Sequence, residues 1–506
     1  MEETEKNVWE DFSKILMEDI KKYGKIDENG NMIIDSGLQK QIIGKIKSNV
    51  PSEEQKVKME FIELISGRVK EWGTASELLR DYILKKLNIY SIKDDLKSEM
   101  WVYKEGIYEP NGKSEIKILL RNLLGSFYSQ FIFGKVIEKI EPDTFINIDE
   151  FFKVRHPNEV PVENGILNIQ TLKLTPFTRE KIFFNKLPVK YIPGETCPKI
   201  ESFLKEVLKN KDDLDVFYEL AGFGLTKEYS IEKACMMVGE GRNGKGKSIE
   251  LIKRLVGVNN CCSIPLTSLV PESFSVSELF GKMFNLAGDI GNQDLKDTSM
   301  FKGLTGRDLI SGKRKFQRDI HFENYAKFIF ACNELPMVYD LTKGFWDRWI
   351  LLEFPYTFVT QEEYDLEINK DNLKIRNPNI INEISTPQEM SGLLNKALEG
   401  LKRIKEKKNF SSTKGSEDIK NMWIRKSNSF IAFCYEELEE VSDGAISKKE
   451  LRKRYAEYCN KNKVGSKSDY AIKKVLQDTY GVVDERRTIL NGIYEFFWVG
   501  LRFKKK

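Results

Sequence analysis

Ten consecutive residues after Val238 carry the densest chemical signal in the chain: Gly239-Glu240-Gly241-Arg242-Asn243-Gly244-Lys245-Gly246-Lys247-Ser248. A loop of this kind suits a polyphosphate. Its glycines let backbone N–H groups curl around phosphate oxygens, a lysine neutralises the terminal phosphates, and a following helix adds the positive end of its dipole. The apolar run Ala234-Cys235-Met236-Met237-Val238 reads as a buried strand, and the segment from Ile249 to Gly257 as a helix, so strand, loop and helix stand in the required order. Two frames fit. The pattern GxxxxGK[ST] is complete from Gly241, with Lys247 as the lysine and Ser248 supplying a hydroxyl for Mg²⁺. Counting from Gly239 gives Lys245, with Gly246 where the hydroxyl residue belongs. The second frame is preferred, because the first glycine of such a loop ordinarily follows its strand at once.

Downstream, Lys282 to Asp289 reads as a strand ending in an acid. An ATPase needs a carboxylate there, to hold Mg²⁺ and polarise the attacking water. Only one acid stands at that place, so Asp289 takes either role or shares them with Asp294 or Asp297. A second apolar strand, Ala326 to Cys332, delivers Asn333, whose amide suits orienting water beside the γ-phosphate. Between the two strands, Lys313-Arg314-Lys315 flank Phe316 with Gln317 and Arg318. Such a run is either a solvated turn or, in a channel, a track for a nucleic-acid backbone. Finally, Arg348 sits among Phe345, Trp346 and Trp349 at the start of another strand.

These residues need a scaffold, and the chain has room for it. With 506 residues, 41% apolar and 31% charged, it reads as a soluble protein of two to four domains. No run approaches the ~20 apolar residues of a membrane span, and the acidic N-terminus has no signal core, so a cytoplasmic location without membrane contact is expected. Seven scattered cysteines without a CxxC pair suggest reduced thiols, and two histidines leave little for a zinc site. The net charge of +4 implies that any nucleic-acid binding comes from local patches. Four regions are expected. Residues 1–97 read as helical, with no evident chemistry. Residues 98–200 read as α+β, opening on a hairpin that turns near Glu105-Gly106 and ending at Pro193, Gly194 and Pro198. There Asp149, Glu150 and His156 read as structural. Residues 201–415 alternate strands and helices as an α/β core does, then become helical and polar after Tyr356. Residues 416–506 read as three helices followed by strands.

The order of these signals resembles superfamily 3 helicases of the virus, phage and plasmid primase-helicase group, those with a poxvirus-type primase C-terminal region. The residues carrying the likeness are the glycine-rich loop, the acidic strand, Lys302-Gly303-Leu304-Thr305-Gly306 with the basic run, Asn333-Glu334-Leu335-Pro336, and Phe345-Trp346-Asp347-Arg348-Trp349 with Glu353-Phe354-Pro355. The resemblance implies an α/β fold with an AAA+-like P-loop ATPase core, an α+β pre-helicase domain and a C-terminal winged-helix domain. It implies a homo-hexamer that hydrolyses ATP with Mg²⁺ between subunits and moves on single-stranded and forked DNA. A primase or replication initiator would be its partner. Matching the loop to the GxGxNGKS loops of that group selects Lys245. By the same likeness Lys313, Arg314 and Lys315 grip single-stranded DNA and Arg348 reaches a neighbouring subunit's γ-phosphate. Arg307 departs from the glycine frequent there. In the tail, Lys448, Lys449, Arg452, Lys453 and Arg454 surround one helix, while Lys467, Lys473 and Lys474 lie on or near the next, which suits a recognition helix. The alternative is an ATP-switched origin-binding protein or an AAA+ remodeller without unwinding activity.

Overall fold

The computed structural model describes residues 25–26, 32–33, 52–66, 69–93, 98–270, 274–288, 294–313, 319–340, 342–412, 414–462, 464–488 and 494–504. Two compact units divide the chain. The first comprises Met1–Val102 and Glu109–Ile148, the second Tyr103–Tyr108 and Asp149–Lys506.

In the first unit, helices Glu53–Ser66, Trp72–Lys86, Gly112–Leu124 and Gln130–Asp143 share one core. Leu79 with Ile83, Ile116 with Leu120, and Val136 with Ile140 are buried pairs four residues apart, so the last three of these helices each turn one apolar stripe inward, while Glu53–Ser66 buries Phe61. Strand Ile89–Ile92 pairs antiparallel with Met100–Lys104 and parallel with Phe145–Ile146. The expected turn lies at Glu105 and Gly106, where φ is 45° and 101°. The helical reading of residues 1–97 holds for 53–66 and 72–86 but fails at the short strands Lys25–Ile26, Met32–Ile33 and Ile89–Ile92; the rest of the stretch before Ser52 lies outside the described residues.

The second unit is built on a five-stranded parallel sheet. Its strands are β1 (Ala234–Val238), β2 (Cys261–Cys262), β3 (Phe284–Ala287), β4 (Lys327–Cys332) and β5 (Trp349–Glu353), in the spatial order β2-β3-β4-β1-β5. Every residue of β1, β3, β4 and β5 is buried. This is why these segments read as predominantly apolar runs, interrupted only by Asn285 and bounded by Lys327 and Glu353, since a parallel sheet is covered on both faces. Because the strands run the same way, the residues following β1, β3 and β4 gather along one edge. Ligand sites in open α/β sheets form at that edge. Ahead of the sheet come the small antiparallel sheet Glu159–Val162, Gly165–Asn168 and Leu174–Thr175 and the helices Pro198–Val207 and Lys211–Phe223.

Two segments differ from their sequence reading. Residues 356–416 are not only helical: Thr357–Val359 and Leu373–Ile375 form a two-stranded parallel pair before the long helix Pro387–Lys407. That helix buries Leu393, Leu394, Ala397, Leu401 and Ile404, so its lysines occupy only the outward face. The tail contains an unexpected strand. After helix Ser429–Glu437 it runs β6 (Leu438–Ser447), α2 (Lys448–Asn462), α3 (Asp469–Tyr480), β7 (Val483–Thr488) and β8 (Tyr494–Phe503), where α1 denotes Lys245–Val256. Its three strands pair antiparallel in the order β6-β8-β7.

Helix Ser416–Ser427 ties this tail to the sheet. Trp423 donates its indole N–H to the Pro336 carbonyl at 2.8 Å and packs against Trp346 and Trp349. Beside it, Glu353 at the end of β5 pairs with Lys209, Lys414 and Lys426 at 3.3, 3.1 and 3.1 Å.

Candidate functional site

The glycine-rich segment leaves β1 at Val238 and enters α1 at Lys245. The local packing distinguishes its glycines. A Cβ on Gly239 would lie 2.3 Å from both the Phe354 carbonyl oxygen and the Asn243 amide, and one on Gly244, at φ 92°, would meet Val207 Cγ1 at 2.6 Å. Gly241 and Gly246 face open space. The turn therefore requires glycine where the frame from Gly239 has it and not where the frame from Gly241 does.

The two lysines differ in the same sense. Lys245 is 5% exposed, and its ammonium donates to the Gly239 carbonyl at 2.5 Å, the Asn243 side-chain oxygen at 3.1 Å and the Asn333 side-chain oxygen at 3.1 Å. Lys247 is exposed. Asn243 braces the turn by donating to the Phe354 carbonyl at 3.3 Å. The carbonyl of Arg242, itself at φ 58°, accepts from Phe358 N–H at 2.7 Å, and its guanidinium pairs with Glu363 at 3.0 Å. Ser248 is fully buried, and its hydroxyl donates back to the Gly244 carbonyl at 3.2 Å within its own helix. The metal role expected for it would require the hydroxyl to leave that carbonyl. Glu240 closes the backbone path, offering its carbonyl to Lys245 at 3.3 Å.

A cavity of about 730 Å³ opens over the loop. Its polar lining includes Gly241 to Lys247, Asn333 and Arg376, and its apolar lining includes Phe203, Ile249, Phe358, Ile375, Ile380 and Ile381. This volume and mixed lining match a site for a small molecule with one charged and one apolar end. The apolar residues from 358 to 381 were not foreseen from the sequence, where only the short runs Thr357-Phe358-Val359 and Leu373-Lys374-Ile375 hint at them. Asn333 follows β4 directly, beside β1, which brings it to Lys245. Gly288 follows β3 and lines the cavity, but Asp289 lies outside the described residues. Among the described residues no three His, Cys, Asp or Glu side chains converge on one point. A magnesium ion held with nucleotide phosphates needs only one or two protein carboxylates.

Lys313 directly follows the first strand of an antiparallel pair, Leu309–Gly312 with Ile320–Glu323, while Arg314 and Lys315 lie outside the described residues. Arg348 stands apart from the loop. It precedes the edge strand β5, with its carbonyl bonded to the Ala234 N–H at the start of β1. The loop leaves the other end of β1, one strand length of about 15 Å away. Trp349 stacks on Phe301 at 4.8 Å and Trp346 is buried, so the flanking aromatics anchor the segment in the core. The Arg348 side chain donates to the Thr305 hydroxyl at 2.9 Å and the Gly344 carbonyl, and pairs with Glu232 at 2.7 Å. Thr305 thus gives the Leu304-Thr305-Gly306 motif a structural reason that the sequence did not reveal.

The family model described as D5 N terminal like matches residues 70–209, and a family of unknown function, DUF5906, matches residues 237–348. A putative helicase, L207/L206, of Acanthamoeba polyphaga mimivirus is 29% identical over 243 residues, which are 46% of this chain and 25% of that protein. The aligned part thus spans a quarter of the relative's length. Among solved structures, the apo NrS-1 C terminal region aligns over 83% of this chain and 98% of its own, at 14% identity and a TM-score of 0.41. A second apo form of that region gives 15% identity and a TM-score of 0.40. Among the described residues no helix is long and apolar enough to cross a membrane. By its matched segments the chain is similar to the D5 N terminal like family and to a putative viral helicase.

Proposed function

We propose that the chain is an ATP-hydrolysing DNA motor of the superfamily 3 type, with an AAA+-like core in residues 201–415. Residues 98–200 form the pre-helicase domain and residues 416–506 a winged-helix domain in this reading, and it works as a homo-hexamer on single-stranded and forked DNA. The observation that carries the proposal is the seating of the Lys245 ammonium between the Gly239 carbonyl and the Asn333 amide, at the adjacent ends of β1 and β4. An entering polyphosphate replaces those neutral acceptors with anionic oxygens, and the N–H groups of Gly244 to Lys247 at the start of α1 face the same charge. The apolar residues around Phe358 and Ile380 then receive the base. Asp289 would hold the Mg²⁺ that accompanies ATP, and the ion would supply charge to neutralise the phosphates. Asn333 positions the attacking water beside Lys245. The charge that builds on the γ-phosphate is met by Arg348 of a neighbouring copy, because the chain's own Arg348 lies at the far end of β1.

The test is ATP turnover by the purified chain with and without single-stranded DNA, paired with strand displacement on a forked substrate. DNA-stimulated turnover with displacement is expected. Turnover indifferent to DNA would instead make the chain a remodeller. Tight duplex binding with slow turnover would make it an ATP-switched origin-binding protein.

A further inference from the structure

The tail sheet carries a surface that the nucleotide cavity does not use. Register places Trp498 and Phe496 of β8 opposite Asp484 and Arg486 of β7, with Tyr494 two residues before Phe496, so these five belong to one face. Along that face Trp498 is in the core at 4% exposure, whereas Phe496 and Tyr494 are 50% and 58% exposed. Successive rings stand two residues apart, about 7 Å along the strand. Each exposed ring has a cation beside it. The Arg486 guanidinium lies 4.0 Å from the Tyr494 ring centre, and the Lys448 ammonium 5.2 Å from that of Phe496 and 4.2 Å from that of Trp498. Among the described residues of this face the carboxylate of Asp484 is already held by Lys448 at 2.8 Å, with Lys473 of α3 near enough to act on it. Glu485 and Glu495 point to the opposite face, where Glu485 pairs with Arg487.

Two large rings left out of a small core, each beside a cation, do not suit an apolar protein partner, which would want the rings without the charges. They suit a polyanion with flat, unstacked faces. A duplex hides those faces inside its stack and offers only edges and phosphates, whereas a single strand exposes them. We propose that this face of β7 and β8 binds single-stranded nucleic acid, with bases stacking on Tyr494 and Phe496 and phosphates meeting Arg486 and Lys448. The site is independent of the cavity at Lys245 and of the hairpin at Lys313.

The experiment uses the full chain and a 2-aminopurine-labelled oligothymidylate, without nucleotide, at several salt concentrations. Tyr494→Ala with Phe496→Ala should weaken binding by roughly tenfold or more and restore the 2-aminopurine emission that stacking quenches, with the salt slope unchanged. Arg486→Ala should lower the salt slope by about 0.7, the value of one phosphate contact on a single strand. Tyr494→Phe keeps the ring and should bind as the parent does, which separates stacking from folding. Basal ATP turnover should be the same in all three variants, so a loss of turnover elsewhere in the chain does not bear on this site. Unchanged affinity and quenching in the double variant would overturn the proposal. So would an equal loss for a duplex of the same length, because that would place a groove and not free bases on the rings.

Discussion

At the scale of residues, the two readings of the loop make opposite predictions. Lys245 is buried among oxygen acceptors at the mouth of the cavity, and Lys247 faces solvent on the first turn of α1. Lys245→Ala should abolish ATP turnover, and Lys247→Ala should retain a substantial part of it. Comparable loss from Lys247→Ala, with Lys245→Ala nearly normal, would reverse the assignment. The glycines provide an independent test on stability. Gly239→Ala and Gly244→Ala drive a methyl into a backbone carbonyl and into Val207, so thermal melting should fall as for overpacked sites, by about 1–3 kcal/mol. Gly241→Ala and Gly246→Ala meet nothing within 4 Å and should leave the melting curve within about 0.5 kcal/mol of the parent's. If all four behave alike, the turn is not held as described.

At the scale of elements, the hairpin Leu309–Gly312 with Ile320–Glu323 presents Lys313 at its end, and Arg314 and Lys315 follow in sequence. Replacing the three by alanine should weaken single-strand binding and lower its salt slope by about 2, at about 0.7 per lost phosphate contact, while basal ATP turnover survives. A triple variant that binds and unwinds like the parent would leave these residues as a solvated turn. The elements also show what a sequence can disclose. The runs at Ala234, Phe284, Lys327 and Trp349 were legible because strands buried on both faces are predominantly apolar, with Asn285, Lys327 and Glu353 the buried polar exceptions among them. Strand β6 was not, because a register shift between Glu440 and Ala445 breaks the alternation that marks a half-buried strand. The pair Thr357–Val359 and Leu373–Ile375 is only three residues per strand, too short for any period to show, yet it supplies Phe358 and Ile375 to the cavity. The partners of Arg348 were hidden for another reason. Thr305 and Glu232 lie 43 and 116 residues before it in sequence, and only the fold brings them together.

At the scale of the whole molecule, the tail and the sheet meet at Glu353. Burial works to raise its carboxyl, but Lys414 and Lys426 outweigh it and hold the group at about 2, against an ordinary 4.5. A depressed carboxylate contributes stability that is present above 4.5 and lost as pH falls toward 2. Glu353→Gln should therefore melt well below the parent at pH 7, with the gap closing between pH 5 and pH 2; a constant gap would mean that packing and not charge joins the two parts. Assembly gives the last prediction. Arg348 stands at the N-terminal end of the edge strand β5, a strand length from its own loop, and its guanidinium is held by Thr305 and Glu232. An arginine suits an interface because it stays charged when water is excluded and its planar fork matches phosphate oxygens. Charge stabilisation of this kind contributes about 10³-fold or more to rate in comparable systems. Arg348→Ala should accordingly bind ATP almost normally and hydrolyse it poorly. Mixed with Lys245→Ala it should recover part of the activity, since some interfaces then join an intact loop to an intact arginine. Subunit exchange is measured separately, by energy transfer between differently labelled copies. With exchange established, a mixture that stays inactive at every ratio would confine Arg348 to the service of its own chain, where its bonds to Thr305 and Glu232 make it a brace for β5 and nothing more.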